Sequence, residues 1–269
     1  MKIGVLQFSP IWGRIDENLR WLENTLASCD ADLMVLPELC TTGYQFISRE
    51  EVATLSEPVP DGPTTQRLMD LCEKKGMYIV AGLAEKDETT FYNSALFVGP
   101  EGYIGTYRKT HLFAEEKNWF SPGNTGFKMW NIGIARIGIM ICFDWIFPES
   151  ARTLALKGAD IVCHPSNLVL PYCPDAMVTR SIENRLFTIT ANRIGTEKRG
   201  LPGYRFIGMS QATAPDGEIL FRMEPEATGC RMVDVDPRQA RNKQMTEQNH
   251  LWHDLRTELY QSGLEAESK

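Results

Sequence analysis

Residues 138–152 read GIMICFDWIFPESAR, and three kinds of local structure meet within them. Ile134 to Ile141 is a strongly apolar run of strand length, the pattern of a strand covered on both faces. Pro148 to Leu156 has helical spacing and opens on a proline, which suits a first helical turn. Between them, Cys142 to Phe147 predicts a strand-to-helix elbow, a turn that can present a side chain at the edge of a sheet. A buried strand running directly into a helix is a building block of layered α/β folds.

The same alternation extends on both sides of this stretch. Upstream, Ile3 to Phe8 reads as a strand and residues 14–28 as a helix with Ile15, Leu19, Leu22 and Leu26 on one face. Asp32 to Leu36 is a short buried strand stopped by Pro37, and Glu38 falls just past its end. Thr64 to Lys75 predicts a helix ended by Gly76, followed by the strand Tyr78 to Leu83. Phe91 to Val98 and Tyr103 to Tyr107 flank Gly99-Pro100-Glu101-Gly102 as a hairpin, with Lys109 just after its second strand. Leu112 to Thr125 reads as a loop. Downstream come the strand Asp160 to Cys163, the helix Asp175 to Arg185 and the strand Leu186 to Ala191. Ser210 to Ala214 and Glu218 to Arg222 form a second hairpin, with Gly229 to Val235 as a further strand. No linker divides these elements, so residues 1–235 are expected to form one domain. Residues 236–269 are polar, and are expected to form a helix and tail that pack on a partner subunit.

Composition removes several classes of function. The 269-residue chain has 43% hydrophobic and 23% charged residues, close to the globular average. Its formal net charge is -7 and it has no dense run of Lys and Arg, which argues against nucleic acid as a partner. There is no secretory signal pattern at the start and no apolar run of membrane-spanning length, so the expected location is cytoplasmic, with no membrane partner. Seven scattered cysteines do not make a disulfide framework or a zinc motif, and four dispersed histidines, at 111, 164, 250 and 253, do not suggest a metal cluster. Walker A, dinucleotide and His-Glu-x-x-His patterns are absent, and no cofactor or metal is expected.

On position alone, Cys142 is the last packed residue of a core strand, since free cysteine is usually a small buried hydrophobe. A nucleophilic role requires a base or a nearby cation to generate the thiolate. Glu38 and Lys109 are the candidates, because each ends an apolar strand and strand ends of an open α/β sheet share a ligand-binding rim. The N–H of Phe143, just past the thiol, is a candidate oxyanion donor.

LMVLPELCTTGY (33–44), YRKTHLF (107–113) with EEKNWFSPG (115–123), and ICFDWIFPESAR (141–152) resemble the three signature segments of the nitrilase superfamily of carbon–nitrogen hydrolases. HPSNLVLP, RSIENRLFTITANRIG and the final hairpin also look like that family, so the resemblance covers essentially the whole chain. HPSNLVLPY and RNKQ look particularly like its short archaeal members. The resemblance implies a four-layer α-β-β-α sandwich, a Glu38-Lys109-Cys142 triad, a second glutamate at Glu116 and a homodimer or higher homo-oligomer. Family spacing before Lys117 selects Glu116 over its neighbour Glu115.

The chemistry this implies is hydrolysis of a small amide or carbamoyl amide through a Cys142 thioester, with release of ammonia. Tyr44, Trp119, Phe143, Trp145, Asn167 and Tyr172 are the candidate pocket residues. Cys142-Phe143-Asp144 stands where typical nitrilases carry Cys-Trp-Glu, which tilts the expectation toward amides, with a small aliphatic nitrile as the alternative. Two rivals are a Cys-His hydrolase using His111 or His164 as base, and an inactive binding or scaffold protein retaining the fold.

Overall fold

The computed structural model describes residues 1–200 and 202–260. Its first half runs β1 (Lys2–Gln7), α1 (Ile15–Ala27), β2 (Leu33–Val35), α2 (Arg49–Leu55), α3 (Pro63–Lys75), β3 (Tyr78–Asp87), β4 (Thr90–Gly99) and β5 (Gly102–Arg108). The second half runs α4 (Glu116–Trp119), β6 (Met129–Asn131), β7 (Arg136–Ile139), α5 (Pro148–Leu156), β8 (Ile161–Ser166), α6 (Cys173–Asn184) and β9 (Phe187–Asn192). It closes with β10 (Thr196–Glu197), β11 (Tyr204–Arg205), β12 (Gln211–Thr213), β13 (Ile219–Arg222) and β14 (Gly229–Asp234).

Apart from the small β10-β11 ribbon, the strands divide equally into two 6-stranded sheets, ordered β14-β1-β2-β3-β4-β5 and β13-β12-β9-β8-β7-β6. Each has three parallel strands at its centre, β1-β2-β3 in one and β7-β8-β9 in the other, flanked by antiparallel strands. The two sheets face each other, with β1, β2 and β3 contacting β8 or β9. Period-2 alternation makes this possible. Ile3, Val5, Leu33, Val35, Val80 and Phe97 join the core that also holds Ile137, Ile139 and Ile161. Their neighbours Met34, Ile79, Ala81, Leu96 and Val98 point the other way, onto Leu19, Leu22 and Leu26 of α1 and Leu68 and Leu71 of α3. On the far side, α5 and α6 cover the second sheet through Leu154, Ala151 and Met177. The result is the expected α-β-β-α sandwich, in which each fully buried aliphatic side chain contributes about 1.5–3 kcal/mol.

The strand expected at Gly229 is β14, which crosses to the first sheet and pairs antiparallel with β1, Leu6 opposite Cys230 and Lys2 opposite Asp234. One expectation needs correction. Beyond residue 236 the described chain forms short 3-10 turns at Pro237–Arg241 and Thr257–Leu259, where a helix was expected; residues 261–269 of that tail lie outside the described residues. This segment is pinned to its own chain. Arg241 joins Arg136 on the buried Asp160, and Lys243 Nζ donates to the carbonyls of Asn184 and Arg185 at the end of α6. No helix among the described residues is long and apolar enough to cross a membrane.

Candidate active site

Glu38, Lys109 and Cys142 follow β2, β5 and β7, strands from two different sheets, and the sandwich brings their ends to one place. The Glu38 segment continues along β3, with Leu36 N–H donating to Val80 O and Cys40 N–H to Gly82 O. It passes so close that a Cβ on Gly82 would collide with Glu38 Cα. The Lys109 segment is gripped in the same way. Its N–H donates to Asn93 O, Gly123 N–H donates to its carbonyl, and a Cβ on Gly123 would collide with Arg108 O. The Ser-Pro-Gly-Asn cluster of the predicted loop is therefore more than a turn, because its glycine lets two backbones touch behind the lysine.

Lys109 is fully buried. Its Nζ donates to Glu38 Oε1 at 2.7 Å and to both Glu116 oxygens at 2.8 Å. Asn93 Nδ2 donates to Glu38 Oε1 at 2.7 Å, and the Tyr44 hydroxyl donates to Glu116 Oε1 at 2.7 Å. Glu38 Oε2 has no hydrogen-bond partner among the described residues. Burial works against the charge on Lys109, but Glu116 and Glu38 outweigh it and hold its pKa above the ordinary lysine value. Burial also pushes the Glu116 carboxyl up, against the pull of Lys109 and with the help of Glu38. Two carboxylates thus share one buried cation. Burial, then Glu116 and Glu38, keeps Tyr44 in its phenol form and therefore a donor.

Cys142 opens a 3-10 turn, Cys142–Ile146, with a left-handed φ of 41°. Burial, followed by the charge of Glu38, pushes its thiol well above the ordinary range, with Lys109 and the backbone N–H of Asn167 acting in the opposite direction. The resting group is therefore a neutral thiol, and a thiolate forms only if a base takes the proton. The turn is anchored by Asp144, which is fully buried and accepts from Ile141 N–H at 2.9 Å, Tyr107 OH at 2.7 Å and His111 N–H at 3.0 Å. The His111 ring sits 2.7 Å from Asp144 Oδ1 and stacks on Phe147. A single carboxylate thereby ties the cysteine turn to the segment carrying Lys109 and Glu116.

The candidate pocket residues divide into two groups. Phe143, Trp145 and Asn167 surround Cys142 in a cavity of about 20 Å³, together with Phe113 and Leu168–Leu170, which is room for about one water. Tyr44 and Trp119 line a separate recess of about 200 Å³ beside Glu116, with Phe46, Phe120 and Tyr204. Tyr172 lines neither space and is 65% exposed. Both side-chain polar atoms of Asn167 lack partners among the described residues, although the residue is buried. His164 does not fit a base role for Cys142, because its Nε2 faces the Cys142 carbonyl at 2.9 Å. His111, whose Nδ1 faces Asp144 Oδ1, makes no hydrogen bond to Cys142 among the described residues. Asn93, Asp144 and His164 are the residues whose part in the site sequence patterns do not reveal. Each lies inside a buried strand or turn and reads as a packing position.

A family model described as "Carbon-nitrogen hydrolase" matches residues 2–244. The chain belongs to the carbon–nitrogen hydrolase family. It is similar to a protein named "Nitrilase" from Pyrococcus abyssi, with 45% identity over 263 residues, 97% of this chain and 99% of the relative. An "(R)-stereoselective amidase" from Pseudomonas sp is 37% identical over 226 residues, covering 82% of this chain and 80% of the relative. The fold is shared with the crystal structure of an amidase from Nesterenkonia sp., at TM-score 0.79 and 24% identity, over 96% of this chain and 94% of that one. As a carbon–nitrogen hydrolase the chain is an enzyme, and the rival reading as an inactive scaffold is set aside.

Proposed function

We propose that the chain hydrolyses small amides, carbamoyl amides among them, through a thioester on Cys142, with Glu38 as base, Lys109 and Phe143 N–H as oxyanion donors and Glu116 positioning Lys109 and the substrate. The observation that carries this is the buried Glu38–Lys109–Glu116 assembly, in which Lys109 occupies one oxygen of Glu38 and the other is left without a partner among the described residues. That oxygen takes the Cys142 thiol proton as sulfur attacks the carbonyl carbon. Charge building on the carbonyl oxygen is met by Lys109 Nζ–H and Phe143 N–H, each worth about 3 kcal/mol in comparable oxyanion holes. Protonated Glu38 returns its proton to the leaving nitrogen, the C–N bond breaks and ammonia departs. Water then attacks the thioester, Glu38 takes a water proton, and the acid leaves as the Cys142 thiol is restored.

The narrow, open space at Cys142, lined by Phe143, Trp145 and Asn167, supports a small acyl group over a bulky one, and the Asn167 carboxamide, without a partner among the described residues, supports a polar contact to it. Tyr44 and Trp119 supply the wall on the Glu116 side. Nitrile hydrolysis is the second reading, favoured by the 45% identity to the Pyrococcus abyssi protein named a nitrilase. The same nucleophile would form a thioimidate in place of the first tetrahedral adduct. A panel of small amides, carbamoyl compounds and nitriles, assayed for ammonia and acid with Cys142→Ala as control, tests both. Turnover of amides and none by Cys142→Ala is expected; ammonia release by Cys142→Ala overturns the proposal.

A cytoplasmic homodimer completes the reading. Seven thiols without disulfides suit a reducing compartment. The exposed apolar residues Ile146, Leu156, Tyr172 and Ile182 stand on or beside α5 and α6 and offer a surface for a second copy. Light scattering is expected to give twice the chain mass, and a stable monomer overturns this part.

A further inference from the structure

We infer that His164 is a positioning residue that sets the orientation of the Cys142–Phe143 peptide, and through it the oxyanion-binding N–H of Phe143. The inference rests on the catalytic roles given above to Cys142 and Phe143. A trans peptide is planar, so fixing its carbonyl fixes its N–H on the opposite edge. The Cys142 carbonyl belongs to the same peptide as the Phe143 N–H, and it lies 2.9 Å from His164 Nε2. That peptide follows a non-glycine residue at φ 41°, a conformation that costs about 1–3 kcal/mol and persists only where neighbouring groups over-determine it. Asp144 holds the N-terminal side of the turn through Ile141 N–H, and His164, reaching across from β8, holds the carbonyl. As the second residue of the turn, Phe143 has an N–H with no partner inside it, free for an oxyanion.

The tautomer follows from the partners. A carbonyl only accepts, so Nε2 carries the hydrogen, and Nδ1 is left to accept from Thr190 Oγ1 at 3.0 Å. Ser166 Oγ lies 3.1 Å from Nε2 and 3.3 Å from Nδ1, and is also placed to donate to the His164 carbonyl at 3.2 Å. Burial drives the His164 pKa down to about 4, so the ring stays neutral and the tautomer persists in the working protein. Donation to the carbonyl also polarises the peptide and makes its N–H a better donor.

The test separates oxyanion stabilisation from thiol reactivity. Methyl iodide alkylates sulfur at a saturated carbon, carries no carbonyl and builds no oxyanion, whereas amide turnover does. His164→Leu is expected to lower kcat for a small amide by ~10²–10³-fold, while the alkylation rate of Cys142 changes by less than about three-fold. His164→Gln, which can return an N–H to the carbonyl, is expected to recover at least about ten-fold of that loss. Equal losses in both reactions, unchanged turnover in His164→Leu, or no recovery in His164→Gln overturns the inference. The unmodified protein gives an arm independent of variant folding: nitrogen NMR should show His164 protonated at Nε2 and bare at Nδ1 from pH 6 to 8, and the reverse overturns it. Turnover by Cys142→Ala would instead overturn the catalytic reading beneath it.

Discussion

The smallest unit that matters here is one lysine between two glutamates. Lys109 Nζ meets three carboxylate oxygens in a fully buried site, so its removal leaves two buried acids facing each other. Lys109→Met is therefore expected to cost on the order of 3–5 kcal/mol in chemical denaturation, besides abolishing activity; a change under about 1 kcal/mol would show that the ion cluster does not hold the fold. His164 gives a prediction in pH. Its folded pKa lies near 4, below the unfolded value of about 6.5, so the unfolded chain takes up the extra proton between those values. Its contribution is complete above about pH 6.5 and is lost as pH falls toward 4, adding up to one proton to the slope of stability against pH. Denaturation curves of His164→Gln should lack that increment, and an identical slope in both proteins would contradict it.

Among the elements, strand ends decide whether the site exists. Gly82 in β3 lies against the backbone of Glu38, which cannot yield as a side chain could. Gly82→Ala is expected to shift the Glu38 segment and lower kcat by ~10²-fold, the scale of an ångström misplacement. Gly76 provides the contrast: it ends α3 at φ 66° with open space around it, so Gly76→Ala costs about 1 kcal/mol of stability and leaves kcat unchanged. Similar activity losses in the two would refute the close-approach argument. Much at this scale is legible in sequence, since α5 runs from Pro148 to Leu156 as the proline and spacing predict. Helix α2 escapes apolar periodicity because Val52 is its only buried residue; its signal is the Ser48–Glu51 cap, where Ser48 accepts from Glu51 N–H. Strand β14 is legible as a strand, but local pattern cannot assign its partner, which lies at the opposite end of the chain in β1.

At the scale of the whole molecule, the sandwich gathers distant sequence into one candidate site. Glu38 and Lys109 come from the first sheet and Cys142 from the second, and Asp144 links the second to Tyr107 and His111 at the end of the first. Glu38, Lys109 and Cys142 are legible as candidates because they sit at strand ends within distinctive segments. Asn93 and His164 are not, because each reads as a packing position inside a buried strand and meets its partner only across its own sheet, Asn93 in β4 reaching Glu38 after β2 and His164 in β8 reaching the Cys142 carbonyl after β7. Covalent catalysis at this centre meets its most direct test in the intact mass of enzyme quenched in acid during turnover of a small amide. A mass increase equal to the acyl group less one hydrogen, located by digestion on the peptide containing Cys142, is expected. Turnover with no adduct on that peptide, under conditions where a trapped thioester standard survives the quench, would contradict it.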